Sequence, residues 1–339
     1  MFATLPRLVN ISVLGSGSIG LLFANRLATA NLGGATIRLI SRRDKLPGNN
    51  GEKKASLIQL IDRTNESIPQ PRADNGDVQS ERNDAVIHEV NAGEFRELDH
   101  KEGDVVIVAT KAYQAVEAVE SITWDDNTFQ PTLVLLCNGA LGLKAALLER
   151  LEFLDASRMK FATTTHGAVA NRQGDDFVVE HLGRGETWIE GGFPGERELH
   201  DGFASFGNAT LLSTRMMEKL LIDKLAASCT INPISAIEGC RNGAVLDSSE
   251  NRQLFEAVLS EISAVFGTGD DGVDRLTSFV TRVIDNTKNN KSSMLRDVER
   301  GIKTEVEYFS GYVVREGLKR GIATPANSKL YKTIRSIEE

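Results

Sequence analysis

The chain has 339 residues, enough for about two domains at the usual ~150 residues each and for a sizeable buried core. Hydrophobic residues make up 41% and charged residues 25%, which excludes a globally disordered chain. With 47 acidic against 39 basic side chains the net charge is -8, a balance that opposes general affinity for nucleic acid or an anionic membrane surface and leaves only a local anion site open.

The elements alternate from the start. Val9 to Leu14 has the pattern of a buried strand, Ile19 to Ala30 is helical in composition, and Ala35 to Ile40 is a second strand, which together make a βαβ unit. Residues 44–97 turn polar, with loop clusters such as Pro47-Gly48-Asn49 and Asn75-Gly76-Asp77, and only Leu57 to Ile61 is clearly apolar. That stretch is expected to be a long, partly mobile insertion. Strands follow at Asp104 to Thr110, Pro131 to Cys137 and Lys160 to Thr165, with helices at 112–122 and 141–151 between them. Strands alternating with helices predict an α/β chain whose N-terminal part is a Rossmann-type, doubly wound parallel sheet. From Arg215 the helical period dominates, through 215–231, 250–266, 272–288, 293–319 and 325–338. The expected division is therefore a sheet domain over 1–214 and an all-helical domain over 215–339, with Gly301 and Gly311 arguing against one unbroken helix over 293–319.

Cys137, Cys229 and Cys240 are an odd set without CxxC spacing, which predicts reduced, buried thiols. Pro6 and Arg7 interrupt the opening residues too early for a signal segment, and apolar runs such as Val105 to Ala109 fall far below the ~18 residues of a membrane span. A cytoplasmic protein is the expectation. The histidines at 88, 100, 166, 181 and 200 lack the short-range pairing of a zinc site, so no metal is expected and His166 is given no catalytic role.

Gly15-Ser16-Gly17-Ser18-Ile19-Gly20 matches GxGxxG between a predicted strand and a predicted helix. In that setting the first glycine permits the turn, the second admits a pyrophosphate to the backbone, and the third lets helix pack on strand, while N–H groups of the helix start face the anion. The bland alternative is a plain glycine-rich turn. At the end of the second strand, Ser41-Arg42-Arg43 places cations and no carboxylate where the ribose 2′ position would lie, which favours NADP over NAD. Lys111, closing the next strand, adds a second cation on the same edge of the sheet. Read without the glycine loop, Arg42, Arg43 and Lys111 are ordinary solvated charges.

Lys224, Ser228 and Asn232 recur every fourth residue, so at ~100° per residue they share one stripe of a helix that is otherwise mostly apolar. A lysine on a buried face needs a partner or a task, because burial disfavours its charge. Spacing alone is equally consistent with a lysine that snorkels to solvent.

This stretch, continued through Ser235-Ala236 and Asn242-Gly243, resembles the signature of the ketopantoate reductase (2-dehydropantoate 2-reductase) family. So do Asn290 to Asp297, Lys303 to Glu307, Gly311 and Gly321 to Asn327, and in the first half the glycine loop, Thr110-Lys111-Ala112, Cys137-Asn138-Gly139 and Thr163 to Gly167. The matches keep their order over nearly the whole chain, with 44–97 outside them. The resemblance implies NADPH held by Gly15, Ser16, Gly17, Ser18, Ile19, Gly20, Arg42, Lys111 and Asn138, with Gly167 near the nicotinamide where relatives often carry alanine. It implies Lys224 as proton donor to the reduced carbonyl, and Glu305 bridging cofactor and catalytic region. Asn232, Asn242, Asn290 and Ser293 would hold the hydroxyl and carboxylate of the substrate, in a cleft between the domains. Ser228 departs from the family, which commonly has asparagine there. Taken singly, Asn138 reads as a strand-end turn, Ser293 as a helix cap and Glu305 as a surface charge. The implied reaction is reduction of ketopantoate to pantoate, a step towards pantothenate and coenzyme A. The rivals are another 2-oxo acid reductase or a β-hydroxyacid dehydrogenase on the same architecture, and a non-enzymatic NADPH sensor. A homodimer is compatible with the resemblance.

Overall fold

The computed structural model describes residues 9–30, 32, 35–41, 55–62, 81–91, 104–122, 131–173 and 176–339. The chain divides into two compact units, Met1–Cys137 with Leu147–Met217, and Asn138–Ala146 with Glu218–Glu339.

The first unit is built on one sheet. Its strands are β1 (Asn10–Leu14), β2 (Thr36–Ser41), β3 (Ala55–Asp62), β4 (Glu81–Asn91), β5 (Val105–Val108), β6 (Thr132–Leu135), β7 (Met159–Thr164), β8 (Gly167–Gln173), β9 (Asp176–Gly183), β10 (Glu186–Glu190) and β11 (Asn208–Leu212). Their spatial order is β11-β10-β7-β6-β5-β1-β2-β4-β3-β9-β8. The middle, β2-β1-β5-β6-β7, is entirely parallel, as the alternation of strands and helices predicts. Its strands are short and mostly apolar because both faces are covered: Ile11, Val13, Ile107 and Val134 are buried on one face against Leu22, Phe23 and Leu27 of α1 (Ser18–Thr29) and Leu199 and Phe203 of α4 (Glu196–Ala204), and Leu14, Val106, Val108 and Leu135 are buried on the other. At the opposite end from the glycine loop, Asn10 donates from its backbone and side-chain nitrogens to the buried Asp104 carboxylate at 2.9–3.0 Å, which pins the register of β1 beside β5.

The flanks differ from expectation. The polar stretch 44–97 is not simply an insertion outside the fold, because it supplies β3 and β4, and β4 runs parallel to β2. These strands are hard to see in the sequence because they alternate: Ile58 and Leu60 are buried on either side of Gln59, and Ala85 and Ile87 are buried in a strand that Arg82, Asn83, Asp84, His88 and Glu89 make polar at both ends, a pattern whose composition reads as loop. Strands β8 to β11 and helix α4, between the last predicted strand and the first helix of the C-terminal half, were also unforeseen. Three pairs, β3/β4, β8/β9 and β7/β10, are antiparallel, while β2/β4, β3/β9 and β10/β11 are parallel, so the flanks of the parallel centre are mixed.

The second unit is helical. It holds most of α3 (Ala140–Arg150), then α5 (Thr214–Glu238), α6 (Ser249–Phe266), α7 (Gly272–Thr287), α8 (Ser293–Glu299), α9 (Ser310–Arg320) and α10 (Pro325–Glu338). Helix α5 runs past the predicted end at residue 231, through Pro233. An interior proline costs about 3 kcal/mol, and continuing the helix offsets this by burying Ile234 and Ala236 in the core formed with Val258, Ile262, Leu276, Val280 and Leu330. By length and composition α5 could cross a bilayer, yet most of its apolar stretch is buried in the protein. The predicted helix 293–319 is broken into α8, a 3-10 turn at Val306–Tyr308 and α9, with Gly301 at φ 63° just past the end of α8.

Candidate active site

In the first unit the site is the C-terminal end of β1. That strand pairs in parallel with β2 on one side and β5 on the other, so the chain leaves it at the point where strand order reverses, the place where open α/β sheets bind ligands. The three glycines of the loop have three separate environments. Gly15 has φ +122°, and a Cβ there would stand 2.7 Å from Thr110 Cγ2. A Cβ at Gly20 would collide with the carbonyl oxygen of Gly15, so this glycine lets α1 pack close against its own entry turn. At Gly17, by contrast, a Cβ would meet nothing nearer than the Ala109 carbonyl oxygen at 3.9 Å. Gly17 is exposed and caps α1 without any side-chain hydrogen bond, and the first turn carries no acidic residue. The open backbone at Gly17 followed by a helix N-terminus suits a pyrophosphate, whereas Gly15 and Gly20 serve the turn itself. Thr110 Oγ1, beside Gly15, is buried without a hydrogen-bond partner.

Around the loop, Ser16 is exposed and Ile19 half-buried, and Ser18 Oγ accepts a 3.0 Å bond from the Ala170 amide, tying the helix start to β8. Lys111 caps the N-terminus of α2 (Ala112–Glu120), directly after Thr110, and so stands on the same edge as Gly15. Gly167 opens β8, and a Cβ there would sit 3.6 Å from the Gly183 amide, an ordinary contact, so alanine fits as well as glycine. Arg42 and Arg43 lie outside the described residues; Ser41, the last residue of β2, follows the Ile40 that pairs with Leu14 of β1. His166 is buried with its Nδ1 2.9 Å from His181 Nε2, and Gly185 N donates to the same Nδ1 at 3.1 Å, a structural arrangement between residues 15 to 19 positions apart that no local pattern reveals.

In the second unit, Lys224, Ser228 and Asn232 all lie on α5 and each is partly buried. Desolvation by burial pulls the Lys224 ammonium down from the ordinary 10.5 to about 8. Its chain neighbour Asp223 is paired with Arg275 of α7; burial raises the Asp223 carboxyl and the guanidinium opposes that rise. One turn past Asn232, the buried Ser235 Oγ lies 3.0 Å from the Asn232 carbonyl oxygen and 2.7 Å from Ser292 Oγ. Ser292 in turn accepts from Leu295 N at 3.0 Å and is the N-cap of α8, so the cap is Ser292 while Ser293 is the first helical residue. Asn242 opens a 3-10 turn clamped onto the residues that follow α7: Asn242 N donates to Asn290 O at 3.0 Å, Gly243 N to Lys288 O at 3.0 Å, and the Arg241 guanidinium to Asn289 O.

The second unit thus brings Asn242 to Asn290, and Ser235 below Asn232 to Ser292 beside Ser293. Glu305 is buried just ahead of the 3-10 turn at Val306–Tyr308, and that turn packs on the exposed Asn138 segment so closely that a Cβ at Gly139 would stand 2.7 Å from Tyr308 Cβ. Ser292 and Thr287, which bonds Asn242, were not singled out from sequence, and Ser235 entered only as part of the family resemblance, without a role; a serine or threonine in a helical stretch has no pattern that reveals its partner.

A sheet with a nucleotide-type glycine loop at its switch point, followed by a helical region, defines a Rossmann-type α/β protein with a helical C-terminal part. The chain belongs to the ketopantoate reductase family: the model "Ketopantoate reductase PanE/ApbA" matches residues 11–192 and that for "Ketopantoate reductase PanE/ApbA C terminal" matches residues 216–338. It is 30% identical over 336 residues to the 2-dehydropantoate 2-reductase of Vibrio cholerae, covering 98% of each chain. Among solved structures it shares its fold with dimeric ketopantoate reductase from Staphylococcus aureus (TM-score 0.67, 18% identity, 97% of this chain and 99% of that one). D-mandelate dehydrogenase, in a ternary structure with NADH and anilino(oxo)acetate, is equally alike (TM-score 0.71, 20% identity, 97% and 98%).

Proposed function

We propose that the protein is a cytoplasmic NADPH-dependent ketopantoate reductase that produces pantoate, a step towards pantothenate and coenzyme A. The observation that carries this reading is Lys224, a lysine held on an apolar helix with its pKa drawn to about 8, in the stripe with Ser228 and Asn232. Bound nicotinamide cofactor would supply a hydride to the C2 carbonyl of the acid. Lys224 supplies the proton that the resulting alkoxide needs, and its positive charge stabilises the oxygen as negative charge develops there. The family resemblance assigns Asn232, Asn242, Asn290 and Ser293 to the substrate's polar groups, and Glu305 to joining the cofactor and catalytic regions. The glycine loop, Lys111, Asn138 and Gly167 take the cofactor, and Arg42 the 2′-phosphate, which makes NADPH preferred to NADH. The dimeric Staphylococcus aureus relative suggests a homodimer.

A second reading, reduction of a different 2-oxo acid, is favoured by one observation, the serine at 228 where the family commonly has asparagine. NADPH oxidation measured with ketopantoate beside pyruvate, oxaloacetate and 2-oxoisovalerate decides between them. Ketopantoate should give the highest kcat/KM. A faster rate with another acid selects the second reading, and no oxidation with any acid rejects both.

A further inference from the structure

Strand β8 stands at the end of the sheet, with β2, β4, β3 and β9 between it and β1, yet it is bonded to the helix that β1 feeds. In a flat sheet with the usual strand spacing β1 and β8 would lie roughly 24 Å apart. Instead the Ala170 amide of β8 donates to Ser18 Oγ, in the first turn of α1, at 3.0 Å. The sheet therefore curls around α1, and the helix carries the mark of it: Gly20 to Asn25 are buried without a break, which is more than one full turn, so every side of the helix is covered there. On the way round, Asn25 Nδ2 donates to the Ile58 carbonyl of β3 at 2.8 Å.

Because β8 is the last strand, its outer edge faces no other strand, and Ala170, opposite Val179 of β9, turns its amide to that outer edge. An amide left open on an edge strand holds nothing in place; Ser18 closes this one. The segment that leads into β8 is fixed at its other end as well. Strands β1, β5, β6 and β7 are parallel neighbours, so β7 ends at the same edge of the sheet as β1, on the side away from β2. Just past Thr164, the last residue of β7, His166 meets Phe23 of α1 edge to face with ring centroids 6.1 Å apart. Residues 164–170 thus run from the end of β7 back to the start of α1, over the half of the ligand edge that lies opposite β2.

A dinucleotide centred on the glycine loop directs its 2′-substituted half towards the end of β2, so its nicotinamide half lies on the side of β5 to β7. We propose that Ser18 is a positioning residue: by holding Ala170 it fixes the start of β8 as the outer wall of the nicotinamide half of the cofactor site. Its oxygen is turned to β8 as an acceptor, and it acts on the nicotinamide through that strand rather than on the phosphates. The inference rests on the NADPH reading of the glycine loop and adds to it a residue whose task lies on another strand.

The test is titration calorimetry with two ligands, NADPH and 2′-phospho-ADP-ribose, which keeps the phosphates and lacks the nicotinamide ring. Ser18→Ala should weaken NADPH about fivefold, the scale of one lost hydrogen bond, and leave the ring-less fragment unchanged. Ser18→Thr keeps the hydroxyl and should keep both affinities. Ala170→Pro removes the donor from the other end of the bond, at an edge position that tolerates proline, and should repeat the Ser18→Ala pattern with the hydroxyl still in place. Should Ser18→Ala fail to fold, Ala170→Pro carries the comparison. Equal weakening of the two ligands by Ser18→Ala would make Ser18 a phosphate contact and overturn the proposal. So would NADPH affinity that neither variant changes, or that Ser18→Ala alone changes. In all three cases the NADPH reading stands. Failure of the wild type to bind either ligand is a different result and removes that reading along with this inference.

Discussion

Ser235 and Ser292, 57 positions apart in the chain, meet with their hydroxyls 2.7 Å from one another. One belongs to α5, the helix of Lys224, and the other caps the start of α8, so the two segments that the family resemblance assigns to the substrate are joined by a single buried bond. Precision at a polar site depends on such support, because the groups that touch a ligand are only as well placed as the ones behind them.

Removing the cap hydroxyl should therefore be felt. Ser292→Ala takes away both the bond to Ser235 and the acceptor for Leu295 N, and should lower stability by about 0.5–2 kcal/mol, the usual range for a lost N-cap. Ser292→Thr should restore most of it. Urea unfolding measures this directly: the midpoint should fall with the slope unchanged. An unaltered midpoint would mean that the bond contributes nothing to the folded state.

The glycine loop offers a separation of folding from binding. Gly20→Ala drives a methyl into the Gly15 carbonyl oxygen, which is backbone and cannot yield cheaply, so this variant should melt at a clearly lower temperature. Gly17→Ala meets only the Ala109 oxygen at 3.9 Å, so it should melt close to the wild type yet bind NADPH at least tenfold more weakly, because the added methyl occupies the surface the pyrophosphate must approach. Thermal melts paired with fluorescence titration of NADPH check both halves, and tight NADPH binding by Gly17→Ala would remove the loop from the cofactor site.

Ser228 stands where the family resemblance implies an asparagine. The serine hydroxyl reaches less far than an asparagine amide and bridges the difference only through a water. Ser228→Asn should lower KM for ketopantoate several-fold and leave NADPH affinity unchanged. Loss of activity in that variant would instead show a pocket shaped around serine for another acid.

How much of this was legible in the sequence depended on whether a feature was local. The glycine loop declared itself because its three glycines answer to one turn, and the parallel centre of the sheet because Val105 to Val108 and Leu133 to Leu136 are buried on both faces and so are continuously apolar. Strands β3 and β4 did not, since Ile58 and Leu60 face a core while Gln59 between them does not, and a polar composition hides a two-residue period. The extension of α5 through Pro233 was hidden for another reason: local propensity argues against it, and the burial of Ile234 and Ala236 that outweighs propensity is tertiary. In the site, Lys224, Ser228 and Asn232 shared one helix and could be read as a stripe. The Thr287 to Asn242 bond and the Ser235 to Ser292 bond join residues distant in the chain, and no single sequence displays those.

The sharpest expectation concerns Lys224, whose ammonium burial has weakened to a pKa of about 8. A general acid must be protonated to act, so kcat should hold below that value and fall as pH rises through about 8, well below the 10.5 of an ordinary lysine. Lys224→Ala should reduce kcat by something like ~100- to 10,000-fold while NADPH still binds. Lys224→Arg should not restore it, because a guanidinium keeps its charge but does not release a proton near neutrality. The same burial has a signed consequence for stability. Below about 8 the lysine is charged in both the folded and the unfolded chain, and the fold bears the full desolvation penalty; between about 8 and 10.5 the unfolded chain holds the proton that the folded one has lost, so the Lys224 contribution to stability rises with pH. Lys224→Met, which carries no charge to desolvate, should therefore melt higher than the wild type at pH 7, with the gap narrowing towards pH 10. An inactive variant that is also more stable is the signature of a group kept for chemistry against the interest of the fold. Near-normal turnover by Lys224→Ala would make the residue a binding or packing lysine and would end the proton-donor assignment.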